Sequence, residues 1–309
     1  MKLRYLFLLA LGGFLFYSCE PEIDEYSYTS GSADFSNYVS LGNSLTSGYA
    51  DGALYKESQE NSYPAILAEQ MKKLGGGGFS QPLMPNDMGV GFDLTPQGPV
   101  LRTKLVVGYA TDCLGTTSLS SVPADPNPDQ GALMADLMTP VPGPFNNMAV
   151  PGAKSFHLVA PGYGNPEGVA LGLANPYFTR FASSPTTTVL ADAAAQSATF
   201  FSLWIGSNDA LGYAYGGGVG DTLTSQQFFG FILGAVIQTM QAQGAKGVIG
   251  NIPDIASSPF FTAIPPNSYV LNQEQADLLN QFLGGFGFEF QAGPNYFIIE
   301  DTTTQLGFR

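Results

Sequence analysis

Histidine occurs once in this chain, at His157, so a metal cage built from several imidazoles has no material here. Asp51, Asp209 and Asp254 lack a His or Cys cluster around them and are expected in structural roles at loops and strand ends; no metal and no cofactor is expected. Basic residues are scarce as well. Lys plus Arg number 11 against 25 Asp plus Glu, a net charge of −14 over 309 residues. Binding a polyanion needs clustered Lys and Arg, so no nucleic-acid partner is expected. Charged residues make up only 12%, and the abundance of Gly, Pro, Ser, Thr and Asn predicts long ordered loops rather than a helical bundle. Long apolar runs are also missing: Tyr5 to Tyr17 and Phe228 to Met240 are both too short to span a bilayer as a helix. The only cysteines are Cys19 and Cys113, which excludes a disulfide framework. The glycine runs at 75–78 and 216–218 do not stand between a strand and a helix as a phosphate loop would, and read as flexible loops.

The first residues carry their own pattern. Lys2 and Arg4 precede the apolar run 5–17, and Ser18-Cys19 follows directly, which predicts a secretory signal over residues 1–18. The Ser-Cys junction resembles a bacterial lipoprotein processing site, with Cys19 as the lipidated first residue; an ordinary signal peptide with an incidental cysteine is the alternative. Removal of Lys2 and Arg4 would leave 9 − 25 = −16 charges. Glu20, Glu22, Asp24 and Glu25, with Pro21, then predict a solvated acidic tether over 19–36, similar to the export signals of surface-displayed lipoproteins. The expected location is the cell envelope, an outer-membrane lipoprotein held by its lipid anchor.

From 37 to 309 strand and helix patterns alternate. Strands are predicted at Asn37–Leu41, Asn146–Val150, Thr199–Ile205, Gly247–Ile252 and Tyr296–Ile299. Helices are predicted at Ser62–Leu74, with Tyr63, Leu67, Met71 and Leu74 on the packed face, and at Val189–Ser197, Thr224–Gln243 and Gln273–Phe282. Thr224 with Gln227 reads as a capping box. Alternation of this kind predicts an α/β fold with a mainly parallel sheet. Residues 79–145 are Pro- and Gly-rich, with a hairpin strand near Arg102–Tyr109 and a short helix near Ala132–Met138. They read as an insertion, lying over the active face or decorating the surface.

Ligands of parallel sheets bind beyond the carboxyl ends of the strands. That places three loops on one rim: Gly42-Asn43-Ser44-Leu45, Asn147 to Gly152, and Gly206-Ser207-Asn208-Asp209. Ser44, after a turn glycine, is either a helix-capping turn residue or a nucleophile. Ester cleavage needs a nucleophile, a base and donors aimed at an oxyanion. Ser44, the Gly152 backbone N–H and the Asn208 amide could supply the first and the last.

These blocks, in this order, resemble those of the SGNH (GDSL) hydrolases, as do Ser62-Tyr63-Pro64 and Asn251-Ile252-Pro253-Asp254. The resemblance implies a three-layer α/β/α, flavodoxin-like fold. It implies Ser44 as nucleophile and an oxyanion hole made by the Ser44 and Gly152 backbones and Asn208. The substrates would be acyl or acetyl esters of lipid or carbohydrate. Two departures stand out. Asn43 replaces the usual aspartate, and the family's closing Asp-x-x-His block is missing. His157 does not match the base, so the general base is unassigned. Either the sequence lacks a C-terminal part that holds the block, or the chain is a base-less member. In the second case the rival function is a surface lipoprotein that binds lipid or glycan without turnover. Nothing in the pattern sets an oligomeric state.

Overall fold

The computed structural model describes residues 28–95 and 98–298. The signal segment 1–18, Cys19 and the acidic residues of the tether lie outside them. Tyr28–Ser32 belongs to a separate N-terminal unit, where Gly31 turns the chain at φ 59°. The main unit begins at Ala33.

In chain order the main unit holds β1 (Tyr38–Gly42), α1 (Ser44–Ser47), α2 (Lys56–Glu60), α3 (Tyr63–Lys72), β2 (Gly91–Thr95), β3 (Gly98–Arg102), β4 (Leu105–Thr111), β5 (Thr117–Pro123) and α4 (Gln130–Met138). After a 3₁₀ turn at Ser155–Val159 come α5 (Pro166–Val169), α6 (Pro176–Thr179), α7 (Val189–Ala194), β6 (Phe200–Trp204), α8 (Asn208–Tyr215) and α9 (Gln226–Ala242). The last elements are β7 (Lys246–Ile249), α10 (Pro259–Thr262), β8 (Tyr269–Leu271), α11 (Gln273–Leu283) and β9 (Gly293–Asn295).

The result is a mixed α/β structure with a three-stranded parallel sheet, ordered β1-β6-β7, and separate antiparallel pairs β2-β3, β4-β5 and β8-β9. Among the described residues no barrel closes. β1 and β6 run in register from Tyr38 opposite Phe200 to Gly42 opposite Trp204, and β6 continues against β7 from Phe200 opposite Lys246. The predicted strand at 146–150 is not a regular strand, yet it lies parallel along the other edge of β1. Ser40 N–H donates to Asn146 O at 2.8 Å, Met148 N–H to Ser40 O at 2.9 Å and Val150 N–H to Gly42 O at 3.1 Å. β1 therefore has a neighbour on both sides, which explains why all five of its residues are buried.

Alternation along the strands sorts the packing. Tyr38 and Phe200 face α3, where Ala68 and Met71 meet them. Val39, Leu41, Phe201 and Leu203 face the opposite way, onto Leu158, Val189, Ala193, Val236 and Met240. Residues 79–145 bring a further core under β2, β3 and α4, built from Leu54, Met84, Val90, Leu101, Leu133 and Leu137.

Several predicted details shift. On α3 Pro64 and Ala68 are buried and Met71 packs beside them, Tyr63 and the following Leu74 are half-buried, and Ile66 and Leu67 are exposed; of the expected face only Leu67 is displaced, small Ala68 taking its place against Tyr38 and Phe200. α9 is capped by Ser225, whose hydroxyl accepts from Phe228 N–H, so the cap lies one residue past Thr224. The final strand is Gly293–Asn295, paired antiparallel with β8. Tyr296–Ile298 lies outside it, and Ile299 is beyond the described residues. Pro294 sits inside the strand, its missing N–H tolerated at a sheet edge. Among the described residues no helix is long and apolar enough to cross a membrane.

Candidate active site

Ser44 opens α1, two residues past the end of β1, and is partly exposed. The turn works because Gly42 carries no side chain: an added Cβ would lie 2.6 Å from Trp204 O and overlap Thr46 Oγ1. Asn43 is the N-cap, its side-chain oxygen accepting from Leu45 N–H at 3.2 Å. Tyr63 braces α1 from outside, its hydroxyl 3.1 Å from Thr46 Oγ1 and its ring edge-on to Trp204. Among the described residues the Ser44 hydroxyl has no hydrogen-bond partner, and neither does its backbone N–H.

The structure brings the three loops together at the carboxyl end of the parallel strands. Gly42 binds Val150 on one side and pairs with Trp204 on the other, so Ser44, Gly152 and Asn208 each follow closely on a mutually bonded strand end. Direct bonds then tie the loops. Asn43 Nδ2 donates to Ser207 Oγ at 2.8 Å. Asn208 Nδ2 donates to Ala153 O at 2.9 Å, which holds one amide proton and leaves the other for a ligand. The Asp209 carboxylate accepts from Ser155 N–H at 2.8 Å and Ser155 Oγ at 2.6 Å.

Gly152 has φ 78°, a left-handed conformation that suits glycine, and nothing closer than 3.8 Å to where a Cβ would sit. Its exposed backbone N–H has no acceptor among the described residues. Asn175 holds the bend, donating to Pro151 O at 2.8 Å and to Tyr163 Oη at 3.0 Å. That supporting role was missed in the sequence, although Asn175-Pro176 is a recognisable helix-start pair.

Asn43 does more than replace a charge. It is 1% exposed, and its amide donates to Ser207, a bond that an aspartate could make only by accepting.

His157 stands apart from Ser44's chemistry. Its Nδ1 accepts from Lys154 N–H at 3.0 Å, and its ring stacks on Tyr163 at 4.3 Å between centroids and meets Phe156 edge-on. Burial lowers its pKa to about 4, Lys154 adds to that, and Asp209 opposes it. The consequence for stability follows from linkage. Above the ordinary value of 6.5 the imidazole is neutral in folded and unfolded chains alike. As pH falls from 6.5 towards 4, only the unfolded chain takes the proton, so stability is progressively lost. The urea midpoint is expected to fall over that window, and His157→Phe should remove part of the slope; an unchanged slope would contradict this account.

Asp51 accepts from Tyr55 Oη at 2.6 Å, and Asp254 caps a 3₁₀ turn through Ala256 N–H. Together with the Asp209–Ser155 pair, each aspartate is engaged by its own donors. Among the described residues no three His, Cys, Asp or Glu side chains are grouped as a metal site needs.

A cavity of about 430 Å³ lies beside α1, lined by Leu45, Gly48, Tyr49, Tyr55 and Tyr63 among others. A larger one, about 920 Å³, opens at the other end of the strands, between Asn37, Val141, Phe145, Phe181 and Gln196. It is too far along the sheet to serve Ser44. No protein-family model, no curated protein and no solved structure matches this chain.

Proposed function

We propose that this chain is a serine ester hydrolase of the SGNH (GDSL) type, acting on acyl or acetyl esters of lipid or carbohydrate. One observation carries the reading: an unpartnered serine hydroxyl stands just past the end of β1, on hydrogen-bonded loops that also present the free N–H groups of Ser44 and Gly152 and the Asn208 amide. The order of parallel segments, 146–150, β1, β6 and β7, with helices against both faces, is in keeping with the three-layer flavodoxin-like arrangement that such enzymes would need.

In this reading Ser44 Oγ attacks the ester carbonyl carbon, and the carbonyl π pair moves to oxygen. The oxyanion is held by the two backbone N–H groups and Asn208. Collapse expels the alcohol, and water then cleaves the acyl–Ser44 ester. The Ser44 proton goes to a general base that none of the described side chains supplies, or to solvent. Where solvent takes it, turnover is that of binding and oxyanion donors alone. The same reading puts the protein at the cell envelope, held by lipid on Cys19.

Covalent capture tests the proposal. A fluorophosphonate ester incubated with the full chain should add once, and peptide mass spectrometry should place the adduct on Ser44. Asn208→Leu is expected to slow capture about 10²–10³-fold, since one oxyanion donor is lost. An adduct on another residue, or none, would sink the assignment.

The missing proton acceptor favours a second reading, a surface protein that holds a lipid or glycan ester on the same rim. Saturable binding of such an ester with no adduct at Ser44 would select it.

A further inference from the structure

The β4–β5 hairpin is joined to the body at its base, where Leu105 N–H donates to Asp51 O at 2.8 Å and Ala124 N–H to Lys104 O at 2.8 Å. Beyond that base it projects. Val107 is 81% exposed, Tyr109 74% and Leu119 64%. Tyr109 stands directly opposite Leu119, so these side chains form one apolar face. An isolated hairpin with an uncovered apolar face is marginal in water.

The hydrogen bonding shows which backbone groups are spare. The Lys104–Ala124 bond at the base and the Asp112 N–H to Thr116 O bond at the tip fix the antiparallel alternation. Even-numbered residues of β4 therefore bond β5, whereas Val107, Tyr109 and Thr111 turn their N–H and C=O groups outward. None of these outward groups has a partner among the described residues. Between Leu105 and Pro123 the only charged residue is Asp112, and its carboxylate is taken up within the tip by Leu114 and Thr116 N–H. The edge thus carries no lysine, inward charge or central proline of the kind that prevents strand addition.

We propose that β4 is a self-association edge, pairing antiparallel with β4 of a second copy about a two-fold axis at Tyr109. In that register Tyr109 faces its own counterpart, and Val107 faces Thr111 of the second copy. All the outward groups on both strands are then used, in about six hydrogen bonds. Leu119, Tyr109 and their two counterparts line up as one cross-strand apolar ladder. Gly108 and Ala110 meet on the reverse face, where small side chains allow close approach. Charge also selects this edge, because copies carrying −14 each repel one another except where an uncharged surface leads. A lipid surface fits less well, since hydrocarbon would leave the outward N–H and C=O groups unsatisfied.

Sedimentation of the full chain from about 1 to about 100 µM tests this, with a dimer expected in the micromolar range typical of a small interface. Tyr109→Asp, at an exposed position that leaves the fold intact by circular dichroism, should weaken dimerisation at least about tenfold. With Cys19 and Cys113 replaced by serine, Tyr109→Cys should cross-link to itself on mild oxidation, while Val107→Cys should cross-link only with Thr111→Cys. A monomer at every concentration overturns the proposal, as does a dimer indifferent to Tyr109→Asp or cross-links in another register. Flotation of the Cys19→Ser monomer with phosphatidylcholine vesicles, abolished by Tyr109→Asp, would overturn it in favour of lipid.

Discussion

Ser44→Ala is expected to lower hydrolysis of a p-nitrophenyl ester while leaving it on the order of 10³–10⁴-fold above buffer, the residual help that oxyanion donors and binding give triad enzymes after their triad is removed. The wild-type chain should exceed the variant by the part of the reaction that passes through the acyl–Ser44 ester, read as a burst of p-nitrophenol that Ser44→Ala lacks. The pH profile separates the ways in which the proton could leave. A general base acts only when deprotonated, so its rate rises with pH up to its pKa and then levels. Solvent hydroxide gives no plateau, and the expected profile climbs about tenfold per pH unit through the neutral range. Levelling above pH 4 would point to His157 instead, given its lowered pKa of about 4. Equal activity in Ser44→Ala and wild type would remove Ser44 from the chemistry altogether.

Gly42→Ala should be the most damaging small change in the sheet. The new methyl would overlap Thr46 Oγ1 and lie 2.6 Å from the Trp204 carbonyl oxygen. Rotating Thr46 would not relieve this, since its Cβ also lies 2.6 Å away, and the carbonyl belongs to β6 and can move only if the strand pairing moves with it. A cost of about 3 kcal/mol is expected, at the upper end of overpacking penalties, measured as a lower urea midpoint with an unchanged slope. Gly152→Ala is the instructive contrast. It has room, with nothing nearer than 3.8 Å, but its φ of 78° strains any side chain, and about 1 kcal/mol is expected. A Gly42→Ala midpoint no lower than that of Gly152→Ala would show that the turn yields more easily than its contacts imply.

The parallel strands were legible because Tyr38–Leu41 and Phe200–Trp204 are short apolar runs that stop at turn residues, a pattern buried strands share. The rim was legible for the same reason, since Gly42, Gly152 and Gly206 each mark a strand end. What sequence spacing could not carry was the side-chain wiring across the rim. That Asn43 reaches Ser207, or Asp209 reaches Ser155, depends on contacts between residues 164 and 54 positions apart. The β4–β5 pairing was only half legible: β4 alternates little, with Gly108 and Ala110 on one face, and Ser-rich β5 lacks the β-branched character that announces a strand. The register of Tyr296–Ile299 failed because an apolar run alone does not say which neighbouring residues will find a partner.

The position of β1 has a further consequence. With a bonded neighbour on each side and no exposed residue, it cannot fray alone, whereas β7, exposed along its whole length, can. Local opening at the sheet margin therefore leaves the Ser44 turn intact, and disruption of that turn requires the cooperative loss of the whole unit. Reactivity at Ser44 then counts native molecules: in a partly denatured population it should track the folded fraction, with no state that has lost the rim and kept the core.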